Sequence, residues 1–213
     1  MSKGGITRRS VAAGLAVGVA GTAATLFLAG ARSTPLGYDF RGPAPDRGLG
    51  LAPPSNCTPG TIGQTEGPYY TPSTPRRADL REPGGGGEPL VLQGLVLTPD
   101  CRPVPGAVVD LWHCDERGRY DNSGFRYRGH QFADSAGAFR FETIRPGHYT
   151  GRTPHFHVKV QGARTRLLTT QLYFPDLDEA NRRDFIYRQG LAMRLGRAGG
   201  AWRARFDFVL APA

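Results

Sequence analysis

From residue 90 onward the chain is cut into short β-prone runs by turn residues, and a chain so divided buries its apolar side chains by stacking sheets. "LVLQGLVLT" (90–98) and "AVVDLWHC" (107–114) are rich in β-branched residues and are joined by the turn "PDCRPVPG". "AFRFETI" (138–144) alternates, which puts Phe139 and Phe141 on one face. "HFHVKV" (155–160), "RLLTTQLYF" (166–174) and "ARFDFVL" (204–210) follow in the same manner. Thirty Gly and 18 Pro favour turns over long helices. Only "DLDEANRRDFIYRQ" (176–189) predicts a helix, with Asp residues capping its start behind Pro175. The expected fold is an all-β sandwich with long loops and one short helix, occupying residues 61–213 as a single domain.

Ahead of that domain the pattern changes. "TRRSVAAGL" sets Arg8 and Arg9 before a small apolar run, and "LAGARS" offers a cleavage site after Ala31, so residues 1–31 read as a twin-arginine signal peptide. The same run could instead anchor the chain in a membrane. Residues 32–60 are Pro/Gly-rich without periodicity, a linker or a draped arm. In an exported chain, Cys57, Cys101 and Cys114 suggest one disulfide and one leftover thiol. Cys57 and Cys101 lie in turn-rich sequence and are the pair considered, although spacing alone does not fix the pairing; Cys114, at a strand end, reads as the buried thiol. The formal charge of +9 is spread over scattered Arg without interleaved aromatics, which argues against a nucleic-acid partner.

Two histidines interrupt one of the strands. His155 and His157 project from the same face about 6.6 Å apart along the backbone, a spacing from which two imidazoles can meet one metal ion. Alone, such a pair is as readily an unligated polar face. Phe156 between them points the opposite way, into a core, and Arg152 adds a fixed cation nearby. No carboxylate stands at a useful offset and no Cys pair has zinc-site spacing. The donors at hand are Tyr149 and Tyr120, with Tyr127 as a substitute for Tyr120. Two phenolates with two neutral imidazoles point to Fe(III). His113 reads as a strand-end histidine, His130 as a loop histidine, and His148 as facing away from the site. Tyr69 and Tyr70 read as pocket-lining, and Trp112 and Trp202 as core.

Several segments in this order resemble the intradiol ring-cleavage dioxygenases, the catechol and protocatechuate 3,4-dioxygenase superfamily. They are "TEGPYY" (65–70), "GAVVDLWHCDERGRY" (106–120), "GAFRFETIRPGHY" (137–149), "RTPHFHV" (152–158) and "TTQLYF" (169–174), so the likeness runs from residue 64 to about Phe174. The resemblance implies a non-haem Fe(III) centre held by Tyr120, Tyr149, His155 and His157. It implies a pocket lined by Thr65, Gly67, Pro68 and Tyr69, with Tyr149 serving also as base. Arg152 would stabilise negative charge on the substrate, and Gln171 would orient a substrate oxygen or the O2-derived group. The implied reaction takes a catechol-type ring and O2, cleaves between the two hydroxylated carbons and yields a muconate-type diacid. Thr153-Pro154 stands where Pro-Ala is usual, and a shorter stretch between Tyr149 and His155 implies a more open mouth. The compact exported form is similar to the secreted branch, and a homo-oligomer is possible. The competing reading is an exported prealbumin-like binding sandwich, in which Tyr149 is a corner tyrosine whose hydroxyl caps a loop, or an iron-binding pseudoenzyme without turnover.

Overall fold

Two sheets carry the chain, and the alternation in their strands is what closes them face to face. The structure, a computed structural model, describes Leu36, residues 51–149 and residues 151–213. The leader expected at 1–31 lies outside the described residues, as does most of the arm before residue 51. β1 (Pro89–Leu97) is central in one sheet, antiparallel to β4 (Ala138–Ile144) and parallel to β8 (Ala201–Arg205) and β9 (Phe208–Val209). β7 (Arg194–Ala198) forms the edge against β8. The second sheet runs β3 (Arg128–Phe132), β2 (Val108–Trp112), β5 (His155–Gln161), β6 (Leu168–Tyr173), antiparallel throughout. Leu90, Leu92, Phe139 and Phe141 from the first sheet meet Val109, Leu111, Phe156 and Val158 from the second in one core. Each such buried side chain contributes roughly 1.5–3 kcal/mol relative to exposure.

The second sheet is covered on both sides. β2 and β5 are buried at every position, so Asp110, Trp112, His155, His157 and Lys159, which alternate with the core residues, are buried as well. Buried polar groups demand partners. The segment 61–76 supplies many of them: Tyr70 and Thr74 donate to the Asp110 carboxylate at 3.1 and 2.8 Å, and Lys159 pairs with Glu66 at 2.5 Å. That segment forms the roof of the face on which the histidines stand.

Four expectations change. The helix spans only Asp178–Arg183, and its N-cap is Leu177 without a side-chain cap. The expected cap, Asp176, is spent on Arg145 in a bidentate pair at 2.8 Å. The segment 204–210 is two strands, because the Asp207 carboxylate takes the Leu95 N–H at 3.0 Å where the ladder would continue. β3 and β7 carry no apolar alternation and are strands through pairing alone. His130 therefore sits on β3, not in a loop, with Nδ1 2.8 Å from the Thr74 carbonyl.

Cys57 and Cys101 form the disulfide, and Cys114 is the buried free cysteine. The bridge joins positions 44 residues apart and pins the 51–60 arm to the β1–β2 turn. Replacing both cysteines by serine is expected to cost about 2–4 kcal/mol and to lower Tm by roughly 5–15 °C, measurable by calorimetry. An unchanged Tm would show that the bridge adds nothing to stability.

Candidate active site

Tyr120 and Tyr149 come from loops whose backbones touch. The turn after β2 is set by Asp115, whose Oδ1 accepts the Arg117 and Arg119 N–H groups at 2.9 and 2.8 Å. Gly118 in this turn has φ 77°, and a Cβ there would lie 1.9 Å from the His148 carbonyl oxygen. In return the Gly147 N–H donates to the Asp115 carbonyl at 2.9 Å. Each tyrosine follows its glycine by two residues, so this main-chain contact sets how far apart the phenols stand. Their ring centroids are 5.7 Å apart, edge to face.

His155 and His157 come from β5, on the face opposite Phe156. His155 Nδ1 lies 2.6 Å from the Thr153 carbonyl and must donate to it, which leaves the lone pair of the neutral ring on Nε2. That Nε2 is 3.0 Å from His157 Nε2, while His157 Nδ1 is buried without a partner. Burial draws His155 down to about 4 and, helped by His155 and Arg152, draws His157 well below the histidine range. Both rings are thus neutral at pH 7. Tyr120 lies beside His157, with centroids 6.0 Å apart, and burial pushes its phenol up.

The remaining expected residues surround this group. Tyr69, turned inward after Pro68, stacks on Tyr120 at 4.4 Å, and its hydroxyl is 2.7 Å from that of Tyr149. Tyr149 therefore pairs with another phenol and does not cap a loop as the bare-sandwich reading requires. Gly67 has φ 73°, and a Cβ there would come within 3.1 Å of His157 Cε1 and 3.8 Å of Nε2, filling the space before the ring. Gln171 Nε2 donates to the Thr65 carbonyl at 3.0 Å, and Arg152 Nη2 donates to Gln171 Oε1 at 2.6 Å. A cleft of about 470 Å³ opens beside Tyr149, Arg152 and Thr153, with Glu179 and Arg183 on its far wall.

Some assignments move. Tyr127 is no substitute for Tyr120: its ring lies 5.1 Å from His113 and its hydroxyl faces Gly85. Tyr70 lies behind the site, between Trp112 and Lys159. Trp112, expected as simple core, stacks on the His157 ring at 5.0 Å and 10° and walls the site. Asp184 and Tyr173, both unexpected here, hold Arg152 and Gln171. Tyr173 was visible in principle, since it is two residues beyond Gln171 on the same strand face.

Two of the expected donors, His155 and His157, are spaced for one metal ion. The 3.0 Å between the imidazole nitrogens is the span of two nitrogen–metal bonds of about 2.1 Å meeting near a right angle. Among the described residues no group of three or more His, Cys, Asp and Glu could hold a metal, and the oxygen donors that stand beside the imidazoles are phenols. Phenolates are hard anionic donors suited to a trivalent cation.

Known proteins share this arrangement of segments. The family profile described as "Dioxygenase" matches residues 65–212, extending well beyond the expected end near Phe174. Catechol 1,2-dioxygenase of Acinetobacter baylyi is 30% identical over 200 residues, covering 78% of this chain and 62% of that protein. Hydroxyquinol 1,2-dioxygenase of Nocardioides simplex is 31% identical over 186 residues, covering 69% and 63%. The chain thus spans less than two thirds of either relative. Among solved structures, the dioxygenase domain of a dioxygenase carbohydrate-binding protein fusion from the cellulolytic bacterium Streptomyces sp. SirexAA-E has a TM-score of 0.69. It is 43% identical, covering 72% of this chain and 99% of that one.

Proposed function

The chain belongs to the intradiol ring-cleavage dioxygenase superfamily, and from that premise we propose that it is a non-haem Fe(III) dioxygenase acting on catechol-type rings. It cleaves between the two hydroxylated carbons with O2 and releases a muconate-type diacid. The observation that carries this reading is the convergence of two neutral imidazole Nε2 atoms at 3.0 Å beside a pair of phenol-bearing loops. Tyr120, Tyr149, His155 and His157 would hold the metal. When bound, a ferric ion supplies the Lewis acidity that lets a catecholate react with O2.

The chain's own residues handle protons and charge. As the phenolate that metal binding would leave, Tyr149 Oη would take the proton of a catechol hydroxyl and become a neutral phenol, with the Tyr69 hydroxyl 2.7 Å away as its hydrogen-bond partner. Arg152 and Gln171 meet negative charge developing on the substrate with preoriented N–H donors. The Trp112 ring against His157 keeps water from that side. Export through a twin-arginine leader belongs to the same proposal and is supported by the Cys57–Cys101 disulfide, a bond that persists in oxidising compartments.

Oxygen-electrode assays of iron-loaded protein with catechol, protocatechuate, hydroxyquinol and caffeoyl compounds test the activity. A coloured preparation with uptake on at least one of them is expected; a colourless, iron-replete and inert one overturns the reading. Tyr149→Phe is expected to retain iron while shifting the visible band, read by absorption and metal analysis together. An unshifted band removes Tyr149 from the metal.

A further inference from the structure

We propose that Asp184 is a positioning residue of this site. Through Arg152 it locks the Gln171 side-chain amide in one orientation, so that the pair can offer a bound substrate only N–H donors. The inference rests on the reading above and names a residue that neither the motifs nor the metal donors include.

Asp184 ends the short helix α1 (Asp178–Arg183), and its side chain is fully buried. One carboxylate oxygen, Oδ2, accepts the Arg152 Nε–H at 2.8 Å and the Thr153 N–H at 3.1 Å; the other, Oδ1, accepts the Ile186 N–H at 3.1 Å. The helix itself is docked by Asn181, which accepts the Thr153 hydroxyl at 2.8 Å and donates to the Phe174 carbonyl at 2.8 Å. The carboxylate is thus fixed by two backbone N–H groups, and its helix by Asn181, before it meets the guanidinium. Arg152 then donates through Nη2 to Gln171 at 2.6 Å.

Arginine has donors and no acceptor, so the amide atom it faces is the oxygen. The other end of the amide faces the Thr65 carbonyl, which only accepts, so that atom is the nitrogen. Two partners on opposite sides therefore select the same flip. The Tyr173 hydroxyl lies 3.1 Å from Gln171 Oε1 and 2.7 Å from Gln64 Oε1, and Gln64 Nε2 returns to the Ile186 carbonyl at 2.5 Å. The network closes on the turn that Asp184 began. In it Gln171 Oε1 is occupied, and the spare capacity of the amide is an N–H. Without the carboxylate, Arg152 loses its anchor and Gln171 keeps only the Thr65 carbonyl, one of the two partners that select its flip.

A double-mutant cycle on the full iron-loaded chain tests this. Asp184→Asn is expected to lower kcat by roughly 10–100-fold with KM within about threefold, since the lost donors act on charge that develops in the reaction. Arg152→Ala is expected to lower kcat at least as far, and the double variant to fall no further than Arg152→Ala alone. Multiplying losses would make Asp184 a merely structural residue and overturn the proposal, as would a rise in KM at unchanged kcat. An arm independent of turnover uses iron-free protein. The Arg152 Nε–H nitrogen-15 resonance is expected to be protected from solvent exchange in the wild type and lost in Asp184→Asn, with other protected amides retained. Persistence of that signal overturns the proposal even if activity falls. Should the wild type show no uptake with any catechol, the functional reading fails while this arm still decides whether Asp184 holds Arg152.

Discussion

Substituting His155 with alanine is expected to strip the chain of iron and to abolish oxygen uptake, a loss greater than about 100-fold. Outer partners of metal ligands alone are worth 10–100-fold in affinity or activity, and a ligand is worth more. His155 is suited to the test because its Nδ1 is committed to Thr153, leaving Nε2 for the metal. The side chain is only 3% exposed, so Tm must be measured alongside iron content and visible absorption. A folded His155→Ala protein holding a full equivalent of iron would remove His155 from the donor set.

The second large effect lies in the main chain. Gly118→Ala is expected to cost roughly 2–4 kcal/mol, combining a strained positive φ with a Cβ driven into the His148 carbonyl. For a chain of this size that lowers Tm by about 5–15 °C. The variant is also expected to weaken the tyrosinate absorption, because the two tyrosine loops can no longer close on each other. A variant with wild-type Tm and wild-type colour would show that the contact sets neither stability nor phenol spacing. The control is Gly84→Ala, also at positive φ but with nothing within 4 Å of the added carbon, which carries the backbone strain alone.

Much of this was legible in the chain, and for identifiable reasons. β4 matches its predicted span residue for residue because Phe139 and Phe141 alternate with polar neighbours and fill the core. The HxH spacing on β5 is a strand-period signal, and Tyr120, Tyr149, Arg152 and Gln171 could be named from ordered motifs. No local pattern predicts β3, because Arg128–Phe132 gains its strand character from register against β2. The helix expected over 176–189 is shorter at both ends, because the Asp176 and Asp184 carboxylates bind arginines far away in sequence. In the sequence Trp112 is indistinguishable from core, because its place beside His157 depends on the β2–β5 register, which pairs the two residues directly.

The doubly covered sheet limits where this protein can diversify. Its strands are wedged between a greasy interior and a roof of polar ties, so a bulkier side chain on either side has nowhere to go. The stretches around residues 65–69 and 179–186 frame the opening from outside the strands. Under the proposed function, a wider range of ring substituents would have to be accommodated there, leaving the β-scaffold beneath as fixed as a lathe bed.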